Sequence, residues 1–523
     1  MTVRAPRVLV ATVVLLGASV ASARAATAWF PSEAVPGTNG IASALVPLTL
    51  PDGTMLVVLA TRDGVREVAS RSRRTGQWNV TTVIDPNSRI ERVRPAVAIG
   101  PNGVVLAAWR LSDGQVRVSA RSPRPARWSR PQVLASGADG VPTLAVGSGG
   151  DAVVTWTAAD AVVVRTRSAN APDWAPPTVL SDPTRSARIA VSGAAVNRSG
   201  AVAVAWSSER AGDGVASVAV RASRESAWPT ATELPGGRPG AVGAPVLAVD
   251  AAGTFTAAWV SGSRVIGAVR TAASRTWIAD ADPAVADAVP VLEPLAIASE
   301  AAGRTVVATR TSTGRARSVA VRDGAAAPWE SVVVRPAASG DRFGPQLAVA
   351  VRGGDVVVAS GHRIGATCDV SIVASPVGET AAPEERMAGI CTALAASSNS
   401  TGDILLVGAG LAATAPLRAI VRPSGGLRFV SASLERVVVS ATATPVLRAR
   451  VSWPARVTVR VVNAAGRAVA RRAVALAADS SRIALRPPTG KFAAGRYTVI
   501  AGAANGALVA PERRFSLRIT PAR

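Results

Sequence analysis

The sequence predicts an all-β chain: a ring of repeated four-stranded units followed by a small β-sandwich. Three observations predict it. Six arginines are each followed, seven residues on, by a tryptophan: Arg71/Trp78, Arg121/Trp128, Arg167/Trp174, Arg221/Trp228, Arg270/Trp277 and Arg322/Trp329, with a weaker copy at Arg422/Phe429. Four more tryptophans stand six residues after a glycine: Gly103/Trp109, Gly150/Trp156, Gly200/Trp206 and Gly253/Trp259. Self-similarity at such a period is the mark of a repeat architecture. The composition agrees: 48% of residues are hydrophobic but only 4% aromatic, and small β-branched residues with turn glycines suit many short strands.

The elements follow in chain order. Arg4 and Arg7 precede a mostly apolar run from Val8 to Val20, and Ala21-Ser22-Ala23 and Ala23-Arg24-Ala25 both fit a small-residue cleavage site. Residues 1–25 therefore read as a secretory signal peptide, and the apolar run is short for a span of about 20 residues. The mature chain is expected to be secreted, free or associated with the cell envelope, with no transmembrane anchor.

Residues 26–430 read as a β-propeller. Aligned on Gly53, Gly103, Gly150, Gly200, Gly253, Gly303, Gly354 and Gly402, the units repeat in steps of 47 to 53 residues. Eight blades are favoured over seven. In the second unit, Pro95–Ile99 predicts a first strand, Pro101-Asn102-Gly103 a turn, and Val104–Trp109 a second strand. Asp113-Gly114 predicts a hairpin turn, Val116–Arg121 a third strand, and Trp128–Leu134 a fourth. Trp29-Phe30-Pro31 resembles these fourth strands yet precedes the first unit, so it is positioned to close the ring; Phe429 competes for that role.

Residues 431–523 read as an immunoglobulin-like sandwich. Seven short alternating strands are expected, at 437–440, 446–451, 457–462, 468–476, 481–485, 495–501 and 513–519. The stretches Val457–Arg467 and Ala494–Val499 resemble accessory sandwich domains appended to bacterial secreted proteins.

Cys368 and Cys391 are the two cysteines. An even count in an exported chain suggests one disulfide; two buried thiols is the alternative, and metal or redox chemistry the least expected.

The stretches Arg121–Leu134 and Asp173–Leu180 resemble the sialidase-like propellers with Asp-box (BNR) repeats, over most of residues 29–430. The motif is degenerate. Ser72, Arg74, Gly76 and Trp78 follow the box only in outline, with arginine for aspartate and a spacing one residue short. The resemblance implies a propeller fold. It does not carry sialidase chemistry over, because that needs a tyrosine nucleophile and the sole tyrosine, Tyr497, lies outside the repeats. Kelch repeats share the period but require a tyrosine per blade.

No catalytic residue is assigned from the sequence. Paired carboxylates would do glycosidase chemistry, and Asp63, Asp113, Asp160, Glu209 and Asp213 stand between second and third strands. Turn geometry accounts for acids at such places. His362 is the sole histidine, so a His-rich metal site is excluded. No nucleophile elbow, phosphate loop, dinucleotide fingerprint, EF-hand or zinc spacing occurs, and no cofactor or metal is expected. The Arg/Trp pairs, and with them Trp109, Trp156, Trp206 and Trp259, read as packing between blades, each arginine over its ring. A single-stranded nucleic-acid platform is the weaker reading, and no nucleic-acid partner is expected of an exported chain.

The formal charge is +24, and Lys491 is the only lysine among 58 basic residues. The arginines are spread along the chain, as composition bias alone would leave them. They nevertheless attract anions at long range. The expectation is a non-enzymatic binding or scaffold protein that uses propeller loops to hold an envelope polymer or protein, anionic by preference: an acidic glycan, a cell-wall polymer or an envelope protein. The alternative is a polysaccharide-degrading or modifying enzyme, hydrolase or lyase, on the same propeller.

Overall fold

A computed structural model describes residues 29–30, 32–38, 45–61, 64–80, 83–86, 95–169, 171–181, 187–210, 212–224, 226–237, 240–280, 295–300, 303–310, 317–325, 327–334, 342–352, 355–364, 367–376, 385–388, 392–399, 403–409, 416–423, 427–478, 480–488, 490–505 and 508–522. Eight antiparallel sheets of the propeller and two of the sandwich account for its strands. The signal-peptide reading of residues 1–25 lies outside the described residues. No helix among them is long and apolar enough to cross a membrane.

Blade 1 orders Leu45–Thr49, Met55–Thr61, Gly64–Arg71 and Trp78–Val80 from the inside out, and blade 2 orders Ala96–Ile99, Val105–Arg110, Val116–Pro123 and Ala126–Trp128. The fourth strand expected at Trp128–Leu134 is split. Ala126–Trp128 and Gln132–Ala135 each pair with the third strand. Blades 3 to 7 fall within 143–179, 187–233, 246–279, 296–334 and 342–388. Each first strand packs against the first strands of its neighbours around the ring.

Second strands are covered on both faces by adjacent blades, which is why they read as unbroken apolar runs. Met55 to Leu59 and Val202 to Ala205 are fully buried. First strands such as Ala96–Ile99, Thr143–Val146 and Val246–Val249 are half-buried along their whole length. They border the centre of the ring, and these three runs hold no charged residue.

The turn between first and second strands explains the glycine on which the repeat aligns. Gly53 has φ +80° and Gly200 φ +82°, a region that costs an L side chain but not glycine. A Cβ on Gly53 would also lie 2.4 Å from Arg73 Cδ, and one on Gly200 2.8 Å from Arg224 Cγ. Glycine is thus required for both backbone and space.

Ring closure is done by the N-terminal segment. Blade 8 consists of Thr392–Ser398, Ile404–Ala409 and Arg418–Arg422, and Glu33–Ala34 supplies its fourth strand. Glu33 pairs with Ala419 and Ala34 with Arg418. The Phe30 amide donates to the Val421 carbonyl at 2.8 Å and the Val35 amide to Leu417 at 2.7 Å. Phe429, the competitor for this role, leaves the ring. Its strand, Phe429–Leu434, pairs with Val446–Val451 in the sandwich.

The sandwich has a three-stranded sheet, Phe429–Leu434, Val446–Val451 and Ser480–Ala484, facing a five-stranded one. The latter is ordered Val438–Ser440, Leu508–Thr520, Gly495–Asn505, Ala455–Asn463 and Ala468–Leu476. Eight strands are present where the sequence suggested seven; the extra one is Phe429–Leu434. The hydrophobic core of the sandwich is continuous with that of blades 8 and 1. Trp453, fully buried, meets Phe30 edge-to-face with centroids 5.4 Å apart, and the Arg73 guanidinium lies 5.0 Å above its ring. The Ala478 amide donates to the Arg74 carbonyl at 2.7 Å.

Replacing Trp453 with alanine empties the joint where three strand systems meet. A loss of about 3–5 kcal/mol is expected in urea unfolding, with faster proteolysis near residue 30. A loss below about 1 kcal/mol would show that the joint contributes little.

Candidate functional site

The tryptophans occupy two layers. Trp109, Trp156, Trp206 and Trp259 lie in second strands and are fully buried between blades. Trp78, Trp174, Trp228, Trp277 and Trp329 start or precede the fourth strands, near the rim, and Trp128 ends the short strand Ala126–Trp128. The sequence spacing has a structural reason. A seven-residue step carries the chain from the end of the third strand, around a tight loop, to the place beside it. Arg71 is thus the register partner of Trp78, and Arg121 of Trp128. The guanidinium lies over the ring in Arg167/Trp174 (5.3 Å), Arg221/Trp228 (5.5 Å) and Arg322/Trp329 (4.6 Å). Trp277 packs against two clusters that lie between blades 4 and 5, and Arg270 is buried. In blade 8 the partner of Arg422 is Trp29, at 6.0 Å, in the place the sequence pattern gave to Phe429.

Carboxylates of the preceding blade hold several of these arginines, a feature with no fixed sequence spacing. Glu33 accepts from Arg71 at 2.8 Å and from Trp78 Nε1 at 3.0 Å. Asp280 does the same for Arg322 and for Trp329 Nε1 at 2.9 Å. Asp85 accepts from Trp109 Nε1 at 3.1 Å and from Arg117 at 3.1 Å. Asp151, almost wholly buried, accepts from Arg224 at 2.6 Å. Burial pushes Arg167, Arg221, Arg270 and Arg322 below the ordinary guanidinium value. The hydrogen bond to Asp151 raises Arg224. These arginines act as structural clips.

The loop acids are dispersed, one or two per blade. Asp113 caps its own turn by accepting from the Gln115 amide, and Asp213 accepts from the Gly240 amide. Asp160 has φ +57°, a turn conformation. Glu209 sits in the second strand of blade 4, opposite Gly214. Asp63 and Cys391 lie outside the described residues. Of Cys368 and His362 only the backbone register is described, Cys368 opposite Arg363 and His362 opposite Phe343 and Asp369. Among the described residues no group of three metal-ligating side chains occurs.

An open cleft of about 600 Å³ lies between blades 1 and 2. That size lies within the usual range for small-molecule sites. Its walls are the turns at Leu50–Thr54 and Asn102–Gly103 and the loops after both third strands. Asp52, Ser70, Ser72, Asn79 and Asn102 offer hydrogen-bonding groups, and Arg124 brings an exposed positive charge; Arg121 also lines the cleft but is buried. Pro51 and Pro123 supply apolar wall. Asn79 and Arg124 are exposed, and Asn102 is held at φ +59° in its turn. Sequence reading missed the cleft because its members come from four separate segments of two repeats.

No protein-family model matches the chain, and no characterised protein matches its sequence significantly. Among solved structures, the fold is similar to a polysaccharide lyase of family PL25, an ulvan lyase, at 13% identity and TM-score 0.41, covering 75% of this chain and 94% of that one. It is also similar to the Aleuria aurantia lectin bound to a fucosylated sugar, at 12% identity and TM-score 0.33, covering 55% and 95%. A prolyl endopeptidase matches at 13% identity and TM-score 0.37 over 79% of this chain, which spans 55% of the length of that enzyme. Likeness at this level says nothing about what the chain binds.

Two substitutions separate clip from surface. Asp280→Ala strands the buried Arg322 guanidinium and is expected to cost about 3 kcal/mol in denaturant unfolding. Asp323→Ala breaks an exposed pair with Arg304 and is expected to cost under about 1 kcal/mol. The hydrogen bond from Arg304 holds the Asp323 carboxyl below its ordinary value, outweighing the opposing effect of burial. Its contribution is full at neutral pH and is lost as pH falls through the lowered value. Melting temperature against pH should therefore fall less steeply below about pH 4 in Asp323→Ala than in the parent.

Proposed function

We propose that the chain is an exported, non-enzymatic binding protein that holds a short stretch of acidic glycan in the cleft between blades 1 and 2. The observation that supports this reading is the cleft's lining: hydroxyl and amide groups suited to sugar hydroxyls, with the exposed guanidinium of Arg124 beside them. Guanidinium groups bind carboxylate and sulfate in a planar, two-pronged fashion. An envelope polymer fits the signal-like N-terminus over residues 1–25 and the spread of positive charge. On the same reading, the propeller spans 26–430 and the sandwich 431–523, a disulfide joins Cys368 to Cys391, and the Asp-box outline at Ser72–Trp78 supports a sialidase-type origin of the blades.

The enzymatic alternative would place a second carboxylate near Asp52. Asp52 itself accepts from the Thr54 amide at 2.8 Å, as a turn residue does.

The test titrates uronate and sulfated oligosaccharides of two to four sugars, with neutral counterparts, into the full chain and follows heat and product release. Acidic oligosaccharides are expected to bind without products. Arg124→Ala is expected to weaken them about tenfold, the loss of one charge-assisted contact. Asn79→Ala should weaken acidic and neutral sugars alike. Unsaturated or reducing-end products surviving high salt would sink the binding-only reading.

A further inference from the structure

The sandwich carries a cluster of exposed arginines on one face. Along the five-stranded sheet, Val457, Val459 and Val461 point into the core, as do Leu517 and Ile519. The alternate residues point outward, since successive side chains of a strand face opposite ways. Six of these outward positions are arginine: Arg456, Arg460, Arg471, Arg496, Arg514 and Arg518, all exposed. Within the five strands of this sheet Glu512 is the one acidic residue.

Register brings the arginines together across strands, a proximity that the sequence does not show. Arg460 is the direct partner of Arg471, and Arg496 of Arg518. On its other side Arg460 faces Ile500, which in turn faces Arg514. Ile500 is only 8% exposed although it points away from the core, as expected where long arginine stems flank an apolar side chain. With strands about 4.8 Å apart and residues about 3.4 Å apart along each, the four strands and the two arginine rows cover a field about 14 Å on each side. The outward residues between the two rows are Val462, Thr498 and Ser516, none of them charged.

Like charges directly opposite in a sheet are destabilising. Glu512 offsets part of this field by accepting from Arg460 at 2.8 Å and lying 3.7 Å from Arg514. Arg471, Arg496 and Arg518 have no acidic partner among the described residues. The smaller sheet handles its opposed pair in the same way, with Arg448 and Arg482 sharing Glu435 at 2.8 and 2.6 Å. The larger sheet has three further arginines with no such carboxylate, an open surplus of guanidinium groups that an external row of anions would neutralise.

We propose that this face binds a linear polyanionic polysaccharide, one bearing carboxylate or sulfate on successive sugars. Charge complementarity selects an anionic chain, and arginine rows about 14 Å apart suit an extended polymer more than a compact ligand. Bases would need aromatic platforms, and no aromatic residue occupies an outward position on these strands. Tyr497 and Phe515 have the inward parity and pack against the core. The site stands apart from the cleft between blades 1 and 2 and does not depend on it.

The experiment measures binding of long dextran sulfate and polygalacturonate to the full chain at 50 and 300 mM salt. It compares two triple variants of equal net charge. One removes the field: Arg471→Ser, Arg496→Ser and Arg518→Ser. The other removes exposed propeller arginines: Arg130→Ser, Arg198→Ser and Arg275→Ser. The field variant is expected to bind polymer at least tenfold more weakly at 50 mM salt, to lose most of the salt dependence, and to melt no lower than the parent. The propeller variant should keep binding within about threefold. Equal losses in the two variants would show that net charge alone acts and would overturn the site. A single-stranded DNA oligonucleotide that binds as tightly as dextran sulfate and is lost in the field variant would overturn the choice of polysaccharide. Arg124→Ala leaves polymer binding intact if the sites are separate, so failure of the cleft and failure of this face are read independently.

Discussion

The ring exists because residues 29–35 pair with the outer edge of blade 8. A blade buries its second strand only when a neighbour lies on each side, so an open array would leave two apolar faces in water. Pairing of Glu33 and Ala34 with Ala419 and Arg418 covers the outer edge of blade 8 and ties the two faces together. The same segment does two further jobs. Trp29 gives Arg422 the ring that blades 3, 4 and 6 supply from their own outer loops, and Glu33 gives Arg71 and Trp78 of blade 1 their carboxylate. Closure therefore joins the last blade to the first through hydrogen bonds, an ion pair and aromatic contact together.

The arginine of the repeat is a buried charge, which on its own would be costly. Its planar cation can lie over a tryptophan face and still reach a hydrogen-bond acceptor in the blade before. Arg322 shows the whole arrangement: Trp329 beneath it, Asp280 across the seam, and the Thr256 hydroxyl at 2.8 Å. Arg221 uses the Thr166 hydroxyl in the same direction. A lysine would provide charge but neither the flat stacking surface nor the forked donors. This gives a structural reason for arginine at these positions, whatever sets the composition elsewhere.

Much of the positive charge thus belongs to the fold. Several seam arginines, Arg71 and Arg322 among them, are both buried and paired. Of the exposed arginines, Arg124 stands beside the cleft, and Arg471, Arg496 and Arg518 share the outward face of the sandwich. Trp453 and Phe30 hold these two regions to one frame, since the sandwich core is continuous with blades 8 and 1.

The sequence by itself determined the all-β class, the eight-unit ring and the sandwich. Each depends on interactions that recur at fixed spacing: the glycine whose positive φ makes the turn, the seven-residue step from third strand to rim, and the period-two pattern of the last 90 residues. It also offered Trp29 as a closing element. Only the tertiary structure decided between Trp29 and Phe429. Both fit the pattern, and the choice rests on which strand edge each one meets. The carboxylate clips, the cleft and the arginine field were illegible for a related reason. Glu33 lies 38 residues from Arg71, and Asp280 lies 42 from Arg322. Arg496 and Arg518 become neighbours only through strand register. Such contacts have no sequence period, because folding brings the partners together from independent segments.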